Sequence, residues 1–412
     1  MRTGITYLAA CMLVALLMSS CTKSDLPEPE YYRVRLYDDT LPDPRTKSIH
    51  IAAGDGRLLM TYGNTFEQLV LVNGGVAYPP AAQNNWMLTD NEGTLIKKGK
   101  IPSGLTVYDA ISFPDNSFVI ITHTGIESLW GGPEWALQIM RIDPNGEMGP
   151  FDTLNVPISH PLPFLQLWDL HLCHSVNGNA VIYFIYESSD GASINFVGEM
   201  DMYGNFLWHK ESELHSIASC VLSPDGGYMT AGRLYDPVSQ LSKVVLMKTN
   251  NAFDSTWSKL LDPKPYGGDI PKIISAGNGN YWLNITKIID SNPYSQIFEF
   301  NSTGVFVDST TYPIKLSQYN LNCVMLNQGA SDLFVSYTND ILGFYSTISD
   351  QFNSTYATLD ADLNLIKNST FQDLTSDLLS SGCRTSDGRI ASFGITQSYD
   401  RRYYKPELII LN

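Results

Sequence analysis

The chain has 412 residues, with 42 acidic and 26 basic side chains and a net charge of −16 at neutral pH. A surface of this charge would repel nucleic acid, and no basic cluster offsets it, so nucleic acid is excluded as a partner. The length suggests two or three domains. However, no interior linker, charge block or low-complexity tract divides the chain, so one domain built from repeats explains it better.

The N-terminal segment is typical of an export signal. An apolar run over residues 5–18 follows a single basic residue. It is shorter than the roughly 20 residues that span a bilayer, and it fits the apolar region of a secretory signal. The motif Met18-Ser19-Ser20-Cys21 resembles a bacterial lipobox, which implies a signal peptide over residues 1–20 and a lipid such as palmitate on Cys21. A plain secretory signal with a chance cysteine is the alternative.

Residues 21–30 are polar, acidic and proline-containing, which indicates a flexible tether. Thr22 stands where an aspartate would follow the lipidated cysteine, and this resembles lipoproteins sent on to the outer membrane. We therefore expect an exported protein of a Gram-negative cell, anchored to the outer membrane through the lipid on Cys21. The acidic residues after Cys21 resemble signals for display at the cell surface, but they also suit an ordinary spacer.

Residues 31–412 repeat one pattern of strands and turns. Runs rich in Val, Ile, Tyr and Phe alternate with turns of Gly, Asn and Asp, and no segment keeps a helical period for three turns. One turn type is tight, as in Asn177-Gly178-Asn179, and the other follows a strand that ends in a polar residue, as in Ile142-Asp143-Pro144-Asn145-Gly146. One repeat therefore reads strand a, tight turn, strand b, variable loop, strand c, polar turn, strand d, which is one four-stranded blade.

The turns predict an all-β propeller of seven four-stranded blades over residues 31–412. The tight turn occurs once more often than the polar turn, and the last residues, 407–412, fit strand c of the final blade. The missing strand d is predicted from residues 31–38, which would close the ring and protect its edges. Six or eight blades are the alternatives, because residues 68–83 in the first repeat are irregular.

The repeat is similar to that of secreted bacterial propellers with the form Asp-Gly-Gly-Tyr … Lys-Leu-Asp-x-Asn-Gly-Asn-x-x-Trp. The best matches are residues 223–230 and 199–208. The resemblance covers nearly the whole chain after the signal, and it implies the fold but no particular function.

Four cysteines remain beside Cys11 and Cys21, and each precedes a turn glycine by five or six residues: Cys173, Cys220, Cys323 and Cys383. An exported protein can form disulfides. Thiols at one repeated position nevertheless favour small buried side chains chosen for packing, over disulfides or a metal site.

No motif indicates a catalytic residue, a metal or a cofactor. His171 and His174 are close in sequence, but residues three apart on a strand point to opposite faces, so they cannot share a metal. Asp360-x-Asp362-x-Asn364 resembles the start of a calcium loop without its glycine and terminal glutamate, which favours a polar turn. The Ser-x-Asp-x-Gly-x-Thr-Trp boxes of sialidase-like propellers and the adjacent cysteines of many quinone-dependent dehydrogenase propellers do not occur.

The b–c and d–a loops of a propeller share one face, and here these loops carry many aromatic residues. We predict ligand contacts from Trp130, Trp135, Trp168, Phe344, Tyr345, Tyr399, Tyr403 and Tyr404, unless they pack between blades. Such residues suit sugar rings and are enriched at protein-binding hot spots. The leading hypothesis is a non-enzymatic binding or scaffold protein for a protein or glycan. The alternative is a glycan-active hydrolase or lyase that uses carboxylates at the channel mouth, such as Asp169 or Asp400.

Overall fold

The computed structural model describes residues 32–37, 49–64, 70–72, 75–77, 83–102, 105–124, 136–158, 167–187, 193–212, 216–236, 241–261, 271–276, 278–289, 292–315, 323–327, 333–340, 352–360, 362–370, 377–397 and 404–411. The expected signal peptide, Cys21 and the tether lie outside these residues. No helix in the described part of the chain is long and apolar enough to cross a membrane.

The regular elements of the described residues are β-strands. The first are β1 (Tyr32–Leu36), β2 (His50–Gly54), β3 (Arg57–Asn64), β4 (Val70–Val72), β5 (Gly75–Ala77), β6 (Gln83–Asp90), β7 (Leu95–Ile101), β8 (Leu105–Ser112), β9 (Phe118–Thr124), β10 (Leu137–Ile142) and β11 (Met148–Thr153). The middle strands are β12 (Leu167–His174), β13 (Ala180–Glu187), β14 (Ser193–Met200), β15 (Phe206–Ser212), β16 (Ser216–Leu222), β17 (Tyr228–Asp236), β18 (Leu241–Thr249), β19 (Ser255–Leu261), β20 (Lys272–Ala276) and β21 (Asn280–Ile289). The last are β22 (Asn292–Phe300), β23 (Phe306–Lys315), β24 (Cys323–Asn327), β25 (Leu333–Asp340), β26 (Phe352–Leu359), β27 (Leu365–Thr370), β28 (Asp377–Arg384), β29 (Ile390–Gln397) and β30 (Tyr404–Leu411).

These strands form four-stranded antiparallel sheets, and within a sheet each strand pairs with its neighbour in the repeat. The sheets are β2-β3-β6-β7, β8-β9-β10-β11, β12-β13-β14-β15, β16-β17-β18-β19, β20-β21-β22-β23, β24-β25-β26-β27 and β28-β29-β30-β1. The strand order predicted for one repeat is confirmed. The irregular stretch of the first repeat contains the separate hairpin β4–β5, inserted between β3 and β6.

The N-terminal strand completes the last sheet, as the sequence predicts. Strand β1 runs antiparallel to β30, with Tyr32 opposite Leu411 and Leu36 opposite Glu407. The two ends of the described chain are therefore held together by backbone hydrogen bonds, and the open edge of the last sheet is covered.

The fold is an all-β propeller. The first strands of successive sheets lie side by side, in the order β2, β8, β12, β16, β20, β24, β28, and β28 lies beside β2. Apolar cores fill the spaces between neighbouring sheets; one of them packs Tyr62 of β3 edge-on against Phe393 of β29. The first strands thus surround a central channel, and their polar side chains are candidates for a site.

The polar turn between strands c and d is built on one side-chain acceptor. Asp143 Oδ1 accepts hydrogen bonds from the backbone N–H of Asn145 at 2.8 Å and of Glu147 at 2.7 Å. Asp360 Oδ1 accepts the same pair of bonds, from Asp362 at 3.0 Å and Asn364 at 2.8 Å. The carboxylate of Asp360 therefore organises its own turn, which confirms a polar turn at the calcium-like motif.

The described thiols are free and only partly buried: Cys173 on β12, Cys220 on β16 and Cys383 on β28. Burial raises the pKa of the Cys383 thiol to about 12, which suits a packing role. Cys173 Sγ and Cys220 Sγ lie 3.3 Å apart, on the first strands of neighbouring sheets. The side chain of Cys323 lies outside the described residues.

Candidate functional site

A repeated hydrogen bond joins the first strands of neighbouring blades. A side chain on one first strand accepts a bond from a backbone N–H of the next, and the three described cases are Asp109 with Leu172 at 2.9 Å, Ser219 with Ile273 at 3.1 Å and Ser381 with Ile51 at 3.2 Å. Each accepting residue directly follows a register shift in its strand. Such bulges re-aim side chains, and here they direct them toward the next blade.

Asp109 lies between two histidines from the blades on either side. Its Oδ1 atom is 3.5 Å from Nδ1 of His50 on β2, and its Oδ2 atom is 3.8 Å from Nδ1 of His171 on β12. We call His50, Asp109 and His171 the channel cluster. The cluster joins three successive blades, because each residue comes from a different first strand.

The surroundings of Asp109 favour its charged form. Burial would raise the pKa of Asp109, but the interactions with His171 and His50 outweigh burial and hold the pKa well below its usual range. Backbone N–H groups add to this, since Ala110 donates to Oδ1 at 2.8 Å and Leu172 donates to Oδ2 at 2.9 Å. The cluster therefore contains a fixed carboxylate that is only 20% exposed.

The two imidazoles present their other nitrogens away from Asp109. In both rings Nδ1 faces the carboxylate, which leaves Nε2 for another partner. His50 Nε2 is buried and has no hydrogen-bond partner among the described residues. A buried nitrogen without a partner is costly unless a water or a ligand group satisfies it. The arrangement of a carboxylate between two imidazoles can bind hydroxyl groups.

Sequence reasoning missed this site. It compared His171 only with His174 and rejected that pair, whereas the carboxylate that faces His171 is Asp109, on the neighbouring blade. His50 and Asp109 are far apart in the chain, so their spacing shows no motif. The available signal was that a polar residue directly precedes the bonded N–H in each of the three cases: His50 before Ile51, His171 before Leu172 and Lys272 before Ile273.

The predicted aromatic loops are not tested by the described residues. Trp168 lies on β12 opposite Ile185, and Tyr404 lies on β30 opposite Gln397, but their side chains are not described. The other predicted contacts lie outside the described residues: Trp130, Trp135, Phe344, Tyr345, Tyr399 and Tyr403. Of the two loop carboxylates, Asp169 has only its backbone on β12 described, and Asp400 lies outside.

Within the described ranges, no group of three or more His, Cys, Asp and Glu side chains is arranged to hold a metal ion.

Comparison with known proteins shows the fold. No protein-family model matches the sequence, and no curated protein is similar to it. Among solved structures, the polysaccharide lyase Uly1 is similar over 88% of this chain and 89% of its own, with a TM-score of 0.52 and 10% identity. The Hadza microbial sialidase Hz136 is similar over 92% of both chains, with a TM-score of 0.50 and 8% identity. A Dyadobacter fermentans protein of unknown function is similar over 75% of this chain and 96% of its own, with a TM-score of 0.50 and 10% identity. At these identities the likeness shows a shared propeller fold.

Proposed function

We propose that this protein is an outer-membrane lipoprotein whose propeller binds a glycan in its central channel, without turning it over. The observation that carries the proposal is the channel cluster, in which His50, Asp109 and His171 converge from three blades. A carboxylate that accepts hydrogen bonds and imidazoles that donate or accept them match the hydroxyl groups of a sugar.

The charge of Asp109 exceeds what the fold requires at that position. Ser219 and Ser381 make the same bond between blades with a neutral hydroxyl. A buried carboxylate costs more to desolvate than a hydroxyl does, so a structural role alone would favour serine at this position too. The extra charge, flanked by two imidazoles, supports a role in ligand binding.

A glycan is favoured over a protein as the ligand. The cluster lies inside a ring of first strands, where a narrow chain or a terminal sugar fits better than a flat protein surface. Two propellers of similar fold are named as a polysaccharide lyase and a sialidase. The predicted contacts of Trp130 and Trp135 with the ligand are part of this proposal, since aromatic rings stack on sugars.

A lyase is the second candidate, and one observation favours it. Nδ1 of His171 faces Asp109, so its Nε2 lies on the side of the ring away from the carboxylate, and the side chain is 36% exposed, which lets this imidazole act as a general base. Glycoside hydrolysis ordinarily uses two carboxylates that flank the bond. In the described part of the channel, Asp109 is the carboxylate of the cluster, and it has no acidic partner there.

The two candidates predict different results with the same oligosaccharides. We expect the purified protein to retain specific spots on an array of neutral, uronic-acid-containing and sialylated oligosaccharides. Those glycans should be recovered intact after incubation, as judged by chromatography. A gain in ultraviolet absorbance from an unsaturated product would instead establish the lyase. No retained glycan and no product would contradict both candidates.

We propose seven blades for the ring. The first strands β2, β8, β12, β16, β20, β24 and β28 contact one another in sequence and return to β2, and each belongs to a four-stranded sheet.

Anchoring through Cys21 is part of the proposal and is tested separately. Cells fed an alkyne analogue of palmitate should incorporate it into the wild-type protein, since the lipobox-like motif ends at Cys21. The variant Cys21→Ser should lose the label and leave the membrane fraction, because a lipid anchor, and not surface charge, holds the protein there. A label that persists in Cys21→Ser would contradict this assignment.

A further inference from the structure

Exposed large apolar side chains of the described residues are concentrated at one end of the propeller. Most lie in a polar turn or in the first two residues of an outermost strand, and we call this set the apolar rim: Leu95, Ile96, Met148, Tyr203, Leu207, Val305, Phe306, Val307, Leu365 and Ile366. The other exposed large apolar residues are Val176, in a tight turn, and Leu36 and Leu260, near the far ends of their strands.

The two kinds of turn lie at the same end. In an antiparallel blade, strands a and c run in the same direction, so the tight turn after strand a and the polar turn after strand c meet at one face. Strand d begins at that face. We call the face where both kinds of turn meet the turn face, and the apolar rim surrounds it. The b–c and d–a loops, which we predict to bind the ligand, lie on the opposite face, the loop face.

The N-terminal tether also leaves from the turn face. Strand β1 takes the place of strand d in the last sheet, and it begins at Tyr32 opposite Leu411, the last residue of β30. The segment from Cys21 to Tyr32 spans at most about 40 Å when fully extended. A lipid on Cys21 therefore holds the turn face close to the membrane.

We infer that the apolar rim rests on the lipid leaflet that carries the anchor, with neutral headgroups as its partner. This inference rests on the proposed lipidation of Cys21. Exposed large apolar side chains that gather on one face indicate an interaction surface, and the tether brings this face to lipid. The net charge of −16 and the acidic polar turns disfavour an anionic leaflet. In this orientation the face with the b–c and d–a loops points away from the membrane.

The test uses the purified lipoprotein in phosphatidylcholine nanodiscs that contain a phospholipid with a photoreactive acyl chain. After illumination, mass spectrometry should place most lipid adducts on peptides that contain the rim. In the double variant Leu207→Glu, Ile366→Glu, the yield of these adducts should fall at least about five-fold, because both side chains are 57% exposed on the rim. The variant Leu260→Glu is the matched control, since Leu260 is 52% exposed on an outermost strand but near its opposite end, and it should label like the wild type.

Adducts on the loop face, or equal labelling of the double variant and Leu260→Glu, would overturn the inference. Intact mass of the same sample shows whether a lipid is attached, which separates a failure of anchoring from a failure of the rim. If the protein carries no lipid, the anchoring proposal fails. The rim is then tested by sedimentation with phosphatidylcholine vesicles: binding that the double variant loses supports it, and absence of binding overturns it.

Discussion

Replacing Asp109 by serine is expected to weaken glycan binding about 10- to 100-fold while the propeller stays folded. A hydrogen bond to a charged group contributes about 1.5–3 kcal/mol, which corresponds to this range of affinities. Serine keeps the bond between blades, as Ser219 and Ser381 do at the equivalent positions. The variant therefore removes the carboxylate that faces His50 and His171 with little change in the fold.

The measurement is calorimetric titration with an oligosaccharide retained on the array, together with the thermal midpoint of each variant. His174→Ala is the matched control, because His174 lies on the same strand as His171, is exposed, and lies outside the channel cluster. We expect its affinity to equal that of the wild type. If Asp109→Ser binds as tightly as the wild type, the channel cluster is not the binding site.

The low pKa of Asp109 determines how its contributions to stability and to glycan binding depend on pH. A carboxyl whose pKa is depressed in the folded protein stabilises the fold above its unfolded pKa of about 4, and this contribution is lost as the pH falls. The charge of Asp109 therefore stays constant between pH 5 and 8. A change in glycan affinity within that window would therefore not come from Asp109.

Replacing Glu199 by alanine is expected to destabilise the propeller by about 3 kcal/mol or more. Glu199 is 4% exposed, and its carboxylate accepts three side-chain hydrogen bonds within its blade. Oε1 accepts from Ser175 Oγ at 2.8 Å and from Asn179 Nδ2 at 2.9 Å. Oε2 accepts from Trp208 Nε1 at 2.7 Å. Removing the carboxylate leaves Ser175 and Asn179, at the tight turn, and Trp208, on β15, without this hydrogen-bond acceptor. Urea unfolding of both proteins gives the difference in free energy.

Glu147→Ala is the control for the loss of a glutamate. Its side chain is 71% exposed, and its carboxylate pairs with Lys97 at 2.5 Å on the surface. Exposed pairs contribute about 0–1 kcal/mol, so this variant should unfold nearly like the wild type. Equal destabilisation by the two substitutions would show that the hydrogen bonds to the Glu199 carboxylate do not stabilise the fold.

The stabilisation that Glu199 provides should also decrease at low pH. Burial would raise the pKa of Glu199, but hydrogen bonds from Asn179, Ser175 and Trp208 outweigh it and lower the pKa. A lowered pKa means that the stabilisation is present above the unfolded pKa, about 4.3, and is lost as the pH falls below it. The difference between wild type and Glu199→Ala should therefore shrink between pH 5 and 3.

The elements that depend on local chemistry could be predicted from the sequence. Polar turns such as Asp143 to Glu147 form because one side chain satisfies two nearby backbone N–H groups, and these contacts lie within four residues. The pairing of β1 with β30 was also predictable, because the last repeat lacked its fourth strand and an exposed edge must be covered.

The channel cluster was decided only by the tertiary structure. His50, Asp109 and His171 belong to three repeats, and each would read as an isolated polar residue on a strand. They meet because the first strands of neighbouring blades lie side by side, and because register shifts beside Asp109 and His171 direct those side chains along the ring. The apolar rim has the same origin, since its members share one face only because the outermost strands begin there. Local patterns thus specify blades and turns, whereas the closing of the ring places distant side chains within a few ångströms of one another.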